Sequence, residues 1–199
     1  MKKQLLIIGA GGHGKVVADI AERMGYTSIA FLDSGEKREW ASYPVVGKES
    51  MVNELDGDVI IAIGNAAARC RLQETIDKSR ITTLIHPDSV IARDVEIGAG
   101  TVVMAGTVIN AGTRIGRGCI INTCASVDHD CEIGNYAHVS VGAHIAGGVS
   151  VEDNTWIGVG AAVRDHLQIA GNCMIGAGAV VVKSIDSSGT YIGVPASKV

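Results

Sequence analysis

The sequence predicts two architectures in series: a small N-terminal Rossmann-like parallel α/β unit, then an all-β parallel β-helix of hexapeptide repeats. Three observations carry this. Every sixth residue from Ile85 to Val181 is Ile or Val, seventeen times running and without an insertion. The positions two residues earlier are mostly small. Before Ile85 the chain instead alternates short apolar runs with helical patterns around a Gly-rich turn. Residues 1–84 are therefore read as the α/β domain, 85–184 as the β-helix and 185–199 as a C-terminal tail.

In the α/β part, Gln4–Ile8 is a buried strand, followed by Gly9-Ala10-Gly11-Gly12-His13-Gly14 and a helical pattern through Val16, Val17, Ile20, Ala21 and Met24. Ser28–Leu32 makes a second strand ending at Asp33, and 58–63 a third ending at Gly64-Asn65, with a helix over 66–78. Strands alternating with helices imply a parallel sheet, here three or four strands wide. Its ligand site belongs at the carboxyl ends of the strands, where the Gly loop, Asp33 and Asn65 converge. Gly9, Gly11 and Gly14 match the dinucleotide fingerprint, with an acid about twenty residues on. The unit is too short for a second mononucleotide half, so a nucleoside diphosphate fits it better. A Gly-rich turn at a helix N-terminus holds phosphate through backbone N–H groups and the helix dipole; a tight turn with no ligand is the other reading.

The repeat itself has a period that is neither the helix nor the plain strand repeat. Ile and Val supply 46 of 199 residues, too few for such a run by chance. A period of six belongs to short strands stacked into a solenoid. Alternation along a strand puts Thr101, Thr107, Thr113, Cys119, Ala125, Cys131, Ala137, Ala143, Thr155, Ala161, Cys173 and Ala179 inside beside the aliphatic residues. Gly98, Asn110, Gly116, Asn122, Asp128, Gly134, Gly158 and Gly176 follow the aliphatic residues and are expected to take the positive φ of tight corners.

Stepping eighteen residues, one triangular coil, reads the outer faces. Glu96, Arg114, Glu132, Ser150 and Gln168 make a polar face. Val102, Ile120, His138, Trp156 and Met174 make a second, and Val90, Val108, Ser126, His144, Ala162 and Val180 a third. Two faces this apolar call for two neighbours, which close into a cyclic homotrimer with Val102, Ile120, Trp156 and Met174 between subunits.

Composition narrows the function. The net charge of −4 without a basic block argues against nucleic acid. No apolar run is long enough for membrane insertion. The opening Met1-Lys2-Lys3 and the apolar 5–8 resemble the start of a signal peptide, but Gly-rich sequence follows without a cleavage site. Five Cys at no metal-binding spacing, three of them at inner solenoid positions, read as reduced packing thiols of a cytoplasmic protein without a metal.

Of six His, His13 either touches a ligand or caps its turn. His86 and His166 read as solvated surface, and His144 as an interface residue. His129 stands out in Asp128-His129-Asp130, at a corner beside an apolar face. A carboxylate on one imidazole nitrogen fixes the tautomer and raises basicity, leaving the other nitrogen to take a proton. Taken alone, a flanked surface His is more often solvated than catalytic.

Context comes from a resemblance. Gly-Ala-Gly-Gly-His-Gly at 9–14, Leu84-Ile85-His86-Pro87, Asn122-Thr123, Val127-Asp128-His129-Asp130-Cys131, His138-Val139-Ser140-Val141-Gly142-Ala143 and Gly193-Val194-Pro195-Ala196 together resemble one family over nearly the whole chain. It is the bacterial sugar acyltransferase family of the sialic-acid O-acetyltransferase type, above all the UDP-4-amino-sugar N-acetyltransferases of surface-glycan (bacillosamine-type) biosynthesis. The resemblance implies a left-handed β-helix, a homotrimer and acetyl-CoA as co-substrate. It implies His129 as general base and Asp130 as the acid that polarises it. Gly11, His13, Asp33, Asn65 and Asn122 fall on the nucleotide-sugar side, and His138, Trp156, Gly158 and Ala177 on the acetyl-CoA side. The expected reaction is N-acetylation of a UDP-linked amino sugar by direct transfer. O-acetylation of a sialic acid or related sugar, a non-catalytic sugar-nucleotide-binding scaffold and an NAD(P)-linked enzyme are the alternatives. Cys124, near Asn122, is a conceivable acyl carrier, but nothing around it in sequence lowers a thiol pKa. Two departures stand out: Ser34 replaces a common second acid, and Ser197 interrupts a Pro-Ala-Lys ending.

Overall fold

The computed structural model describes residues 4–35, 39, 40 and 43–199, with the backbone alone at 39 and 40. The chain divides into two compact units, Met1–Pro87 and Asp88–Val199.

The first unit holds β1 (Gln4–Ile8), α1 (Gly12–Arg23), β2 (Ser28–Leu32), β3 (Glu39–Trp40), β4 (Tyr43–Gly47), β5 (Asp58–Ile61) and α2 (Ala66–Glu74). The sheet order is β3-β4-β2-β1-β5, parallel except for the β3–β4 hairpin. Leu5, Leu6, Ile7 and Ile8 are all buried, as a central parallel strand covered on both faces requires. The chain leaves β1 toward β2 and later returns to β1's other side as β5. That reversal puts a crevice at the carboxyl ends of β1 and β5.

Three details differ from the sequence reading. The sheet is five strands wide, because Tyr43–Gly47, with a Pro at its second position, still pairs with β2 through Val45 and Gly47. β5 stops at Ile61 rather than at 63. The helix expected to reach 78 ends at Glu74: Thr75 turns its hydroxyl onto Leu72 O (2.8 Å), and Asp77 caps a separate short turn through Ser79 N (2.9 Å).

The second unit is the parallel β-helix. Its first sheet carries two-residue strands at Val90, Val108, Ser126, His144, Ala162 and Val180, its second those at Glu96, Arg114, Glu132, Ser150 and Gln168. The third carries those at Val102, Ile120, His138 and Trp156, then Cys173–Ile175 and Gly189–Ile192, with Ser197–Lys198 antiparallel at the end. From Val90 to Val181 the strands pair in parallel at a step of eighteen residues, as in Ile120–His138 and Ser126–His144, and Cys173–Ile175 pairs onward at a step of sixteen, with Gly189–Ile192. From Val103 to Val181 every aliphatic repeat residue is at most 3% exposed.

The small inner residues do more than fill space. Thr101, Thr113 and Thr155 are wholly buried, and each bridges two coils. Thr113 Oγ1 donates to Asp128 O (2.6 Å) and accepts from Cys131 N (3.1 Å); Thr101 and Thr155 repeat the pattern on Gly116 O with Cys119 N, and on Ala170 O with Cys173 N. Backbone groups that the corners leave unpaired are satisfied inside the prism.

The corners also differ from expectation. Positive φ falls two residues later than predicted, at Gly100, Gly106, Gly112, Gly118, Cys124, Asp130, Tyr136, Gly142, Gly148, Asn154, Gly160, His166, Asn172 and Gly178. Gly98, Gly116, Gly134 and Gly158 have another reason to be Gly: a Cβ there would press into the backbone of the next coil, within 2.7 Å of Asn135 N at Gly116. Sequence alone could not separate the two, since both positions favour Gly.

On the outer faces, Arg114 lies 3.7 Å from both Glu96 and Glu132, and the second sheet is polar as read. Val102 and Ile120 are already 1% exposed within the single chain, so they are not bare interface residues. Trp156 is half-buried, while Met174 and Val90 are exposed. His166 is exposed, but His86 is 4% exposed and belongs to the interior. It lies two residues after buried Leu84, and the period-two alternation carries it to the same side.

Candidate active site

The corner after Val127 is built by its backbone. Thr113 fixes both ends of it, through Asp128 O and Cys131 N. Asp128 Oδ1 accepts from Asn110 Nδ2 (2.7 Å) and His129 N (2.8 Å), which lowers the Asp128 pKa. Asp130 has φ 56°, a left-handed conformation that Asp tolerates better than most residues. The turn brings its Oδ2 to 2.9 Å from Nδ1 of His129. This bond, with the Asp128 charge second, raises the His129 pKa. Both side chains remain more than half exposed. The far edge of the ring lies over Gly147, one coil on, where a Cβ would stand 2.6 Å from Nε2. Nδ1 is thus engaged by a carboxylate, and Nε2 is the nitrogen left to take a proton.

A second group lies at the corner after Ile121. Asn122 Oδ1 accepts from Thr123 N (2.8 Å), which fixes the amide orientation. Its Nδ2 therefore faces His138 Nε2 at 3.0 Å and donates to it, so that nitrogen carries no proton. The His138 ring stacks on Trp156, with centroids 4.7 Å apart and planes 26° from parallel. Gly158, two residues after Trp156, is buried with its N–H on Ile175 O (2.8 Å), and Ala177 is exposed. Along this edge Gly142, Gly160 and Gly178 would meet nothing within 4 Å if given a Cβ, and Val141 and Val159 are exposed. The edge is open, apolar in part, and rich in accessible backbone. Cys124 is exposed at the same corner, and none of the five Cys is disulfide-bonded.

In the first unit, Gly11 stands at the N-cap of α1, which has no side-chain cap and no acid in its first turn. Its first N–H groups are thus available to an anion. Gly11 and Gly12 are exposed and would meet nothing if given a Cβ. Asp33 lies beside this loop, its Oδ2 accepting from Ala10 N and its Oδ1 from Gly35 N, both at 2.7 Å. Asn65 caps α2 through Ala68 N (2.9 Å). His13 is largely buried. Burial, then the charge of Arg69, lower its pKa to about 4, and Nε2 has no partner among the described residues.

Two acidic or basic residues here escape sequence reading. Glu49 brings its carboxylate onto Ser34, accepting from the backbone N (3.1 Å) and from the hydroxyl, so an acid stands beside the position where Ser34 replaces one. Arg69 is 1% exposed, with Nη1 on Ile63 O (2.9 Å) and Gly64 O (2.7 Å). Gly147 had a legible signal, since it lies eighteen residues beyond His129.

A period-six β-helix carrying an exposed carboxylate-bound His, preceded by a small nucleotide-type α/β unit, defines the class of hexapeptide-repeat acyltransferases. Comparison with known proteins agrees. Residues 4–76 match the PglD N-terminal domain. The chain is 38% identical over 112 residues to the UDP-N-acetylbacillosamine N-acetyltransferase of Bacillus subtilis (strain 168), covering 51% of each. To the GDP-perosamine N-acetyltransferase of Escherichia coli O157:H7 it is 36% identical over 100 residues, 49% of this chain and 45% of that one. The matches thus span about half the length of these curated relatives. Among solved structures, the acetyltransferase domain of PglB from Neisseria gonorrhoeae FA1090, in complex with acetyl coenzyme A, superposes with a TM-score of 0.95 at 38% identity over 100% of both chains. PerB from Caulobacter crescentus, in complex with CoA and GDP-perosamine, gives 0.93 at 37% identity over 100% of this chain and 98% of that one. The chain belongs to the family of bacterial nucleotide-sugar N-acetyltransferases that join a PglD N-terminal domain to a left-handed parallel β-helix.

Proposed function

We propose that this protein is an acetyl-CoA-dependent N-acetyltransferase acting on the amino group of a nucleotide-linked amino sugar, with a UDP sugar as the sequence expectation. The observation that carries the reading is the His129–Asp130 pair, 2.9 Å apart on an exposed corner with Nε2 directed away from the carboxylate. The substrate amine attacks the thioester carbonyl, a C–N bond forms and the C–S bond breaks. His129 Nε2 takes the amine proton, and CoA leaves as the thiol once that proton is returned. Asp130 holds the ring and stabilises the imidazolium.

His138 and Trp156 support the acyl end, with Ala177 exposed and Gly158 buried along the same edge, and Asn122, which donates to Nε2 of His138, serves the sugar beside them. A neutral His138 whose Nε2 already accepts from Asn122 is a poor competitor for the proton. Gly11, His13, Asp33 and Asn65 serve the nucleotide end. The N–H groups of the uncapped α1 start suit the diphosphate, and the caps and loop bonds of Asp33 and Asn65 set its shape.

The working form in this proposal is a cytoplasmic homotrimer. Exposed Met174 and half-buried Trp156 on the third sheet, and exposed Val90 on the first, support contact with further subunits. No helix among the described residues is long and apolar enough to cross a membrane.

The test is thiol release from acetyl-CoA, measured with a panel of UDP- and GDP-linked amino sugars and their hydroxyl counterparts. Release that requires both acetyl-CoA and a nucleotide amino sugar is expected. Release with hydroxyl sugars alone would assign O-acetylation, and none with any sugar would leave only a binding scaffold.

A further inference from the structure

Arg69 is a charged side chain inside the fold, and its surroundings point at the nucleotide crevice. It is 1% exposed, and its Nη1 donates to both Ile63 O and Gly64 O in the turn that leaves β5. That turn is one wall of the crevice. The other wall is the Gly loop, and the two are pressed together: a Cβ at Gly9 would lie 2.8 Å from Ala62 O, and Ala62 N donates to Ile8 O at 2.7 Å. The same α2 residue donates its backbone N to Asn65 O at 3.0 Å, so helix start, turn and guanidinium form one rigid piece.

His13 sits within the electrostatic reach of Arg69, and burial first, then the guanidinium, disfavour its protonated form. Its Nε2 is buried and has no partner among the described residues. A buried imidazole nitrogen left unpaired is costly unless something later completes it. Other charges on the elements meeting here are Lys15 on α1 and Asp33 after β2, whose carboxylate holds Ala10 of the same loop. A buried cation is retained at a desolvation cost, and a diphosphate at the uncapped start of α1 is an anion for which that charge is already in place.

We propose that Arg69 is a positioning residue for the nucleoside diphosphate: it pins the Ile63–Gly64 turn against the Gly loop, beside the buried Nε2 of His13 that is reserved for the substrate. This rests on the proposed function, in which the first unit takes the nucleotide. The guanidinium acts through the turn and through His13, and its charge adds a fixed positive potential at low local dielectric.

The experiment measures binding of UDP, of GDP and of acetyl-CoA to the full chain by calorimetry, for the wild type and for Arg69→Met and Arg69→Lys, with the His13 ring followed by NMR titration. Expected is at least a tenfold weaker Kd for the nucleoside diphosphate in Arg69→Met, an acetyl-CoA Kd within twofold, and a His13 pKa moved up from about 4. Arg69→Lys, which keeps the charge but not the paired carbonyl contacts, should weaken nucleotide binding while moving the His13 pKa less. Nucleotide binding within twofold of wild type in either folded variant, or an unmoved His13 pKa in Arg69→Met, overturns the proposal alone. Should both variants fail to fold, the wild type decides, since saturating UDP or GDP must shift the His13 ring resonances and unshifted resonances overturn the proposal. A wild type that binds neither nucleotide overturns it together with the nucleotide-sugar reading.

Discussion

Asp130 Oδ2 lies 2.9 Å from Nδ1 of His129, the residue immediately before it, and it does so from a backbone φ of 56°. Adjacent side chains on an extended strand point apart. The left-handed corner lets two neighbours in sequence meet, and the fold supplies such a corner every six residues. The pair is therefore a product of the solenoid's geometry as much as of the residue types.

The bond predicts a pH signature. Asp130 is the largest cause of the raised His129 pKa, so the group loses its proton at a higher pH than an ordinary imidazole. A general base works only when deprotonated, which puts the acidic limb of kcat/KM higher than for an isolated His. Asp130→Asn should move that limb to lower pH and lower the plateau roughly tenfold, since ring orientation and basicity both suffer. The substrate amine titrates equally in both enzymes, so the difference between the two profiles belongs to His129. Superimposable limbs would show that Asp130 does not tune the base.

Gly147 offers a test that leaves the pair intact. A methyl there would lie 2.6 Å from Nε2 and Cε1 of His129, while the Gly147 backbone needs no positive φ. Gly147→Ala should keep the melting temperature but rotate the ring from its seat, lowering kcat by about 10- to 100-fold. KM for both substrates should hold within a few-fold. An unaffected kcat would mean that the ring works from another orientation.

Thr113 joins stability to the site. Its hydroxyl serves Asp128 O and Cys131 N, on either side of His129-Asp130. Thr113→Val keeps the volume and strands both buried backbone groups, a loss of about 1–3 kcal/mol in unfolding free energy. Thr101→Val, with the same two bonds at a corner away from His129, is the control. Similar denaturation shifts with a kcat loss in Thr113→Val alone are expected. Equal activity in both would leave Thr113 with a purely structural role.

The solenoid was legible because one rule repeats in every coil, so a single aliphatic position every six residues reports strand, core and pairing at once. The His129–Asp130 contact was legible for a related reason: its members are adjacent in sequence. What escaped reading has a common physical basis. Glu49 reaches Ser34 from fifteen residues away, and Arg69 reaches the β5 turn from inside a helix rich in polar residues. Neither contact leaves a periodic trace. Thr113 reads as small, and only the structure separates filling from hydrogen bonding. Tyr43–Gly47 was hidden by Pro44. Val102 and Ile120 look like the rest of an exposed apolar column, and their burial depends on packing that no outward-facing pattern encodes.

Removing the base itself gives the sharpest result. The His129 side chain is more than half exposed, so His129→Ala should leave the fold and the melting temperature unchanged. If Nε2 takes the amine proton, the variant should lose about 10²–10⁴-fold in kcat, with KM for both substrates within a few-fold. In the proposed function, binding is made elsewhere, by the edge around His138 and Trp156 and by the Gly loop. The acidic limb that remains should then be that of the substrate amine alone. His129→Gln, which cannot act as a base, should behave like the Ala variant rather than like wild type. Cys124→Ala should keep wild-type turnover, because direct transfer involves no acyl-cysteine. A near wild-type kcat in His129→Ala would falsify the assignment of the base. Since the Nε2 of His138 already accepts from Asn122 at 3.0 Å, that outcome would require the Asn122–His138 contact to break before His138 could take the proton.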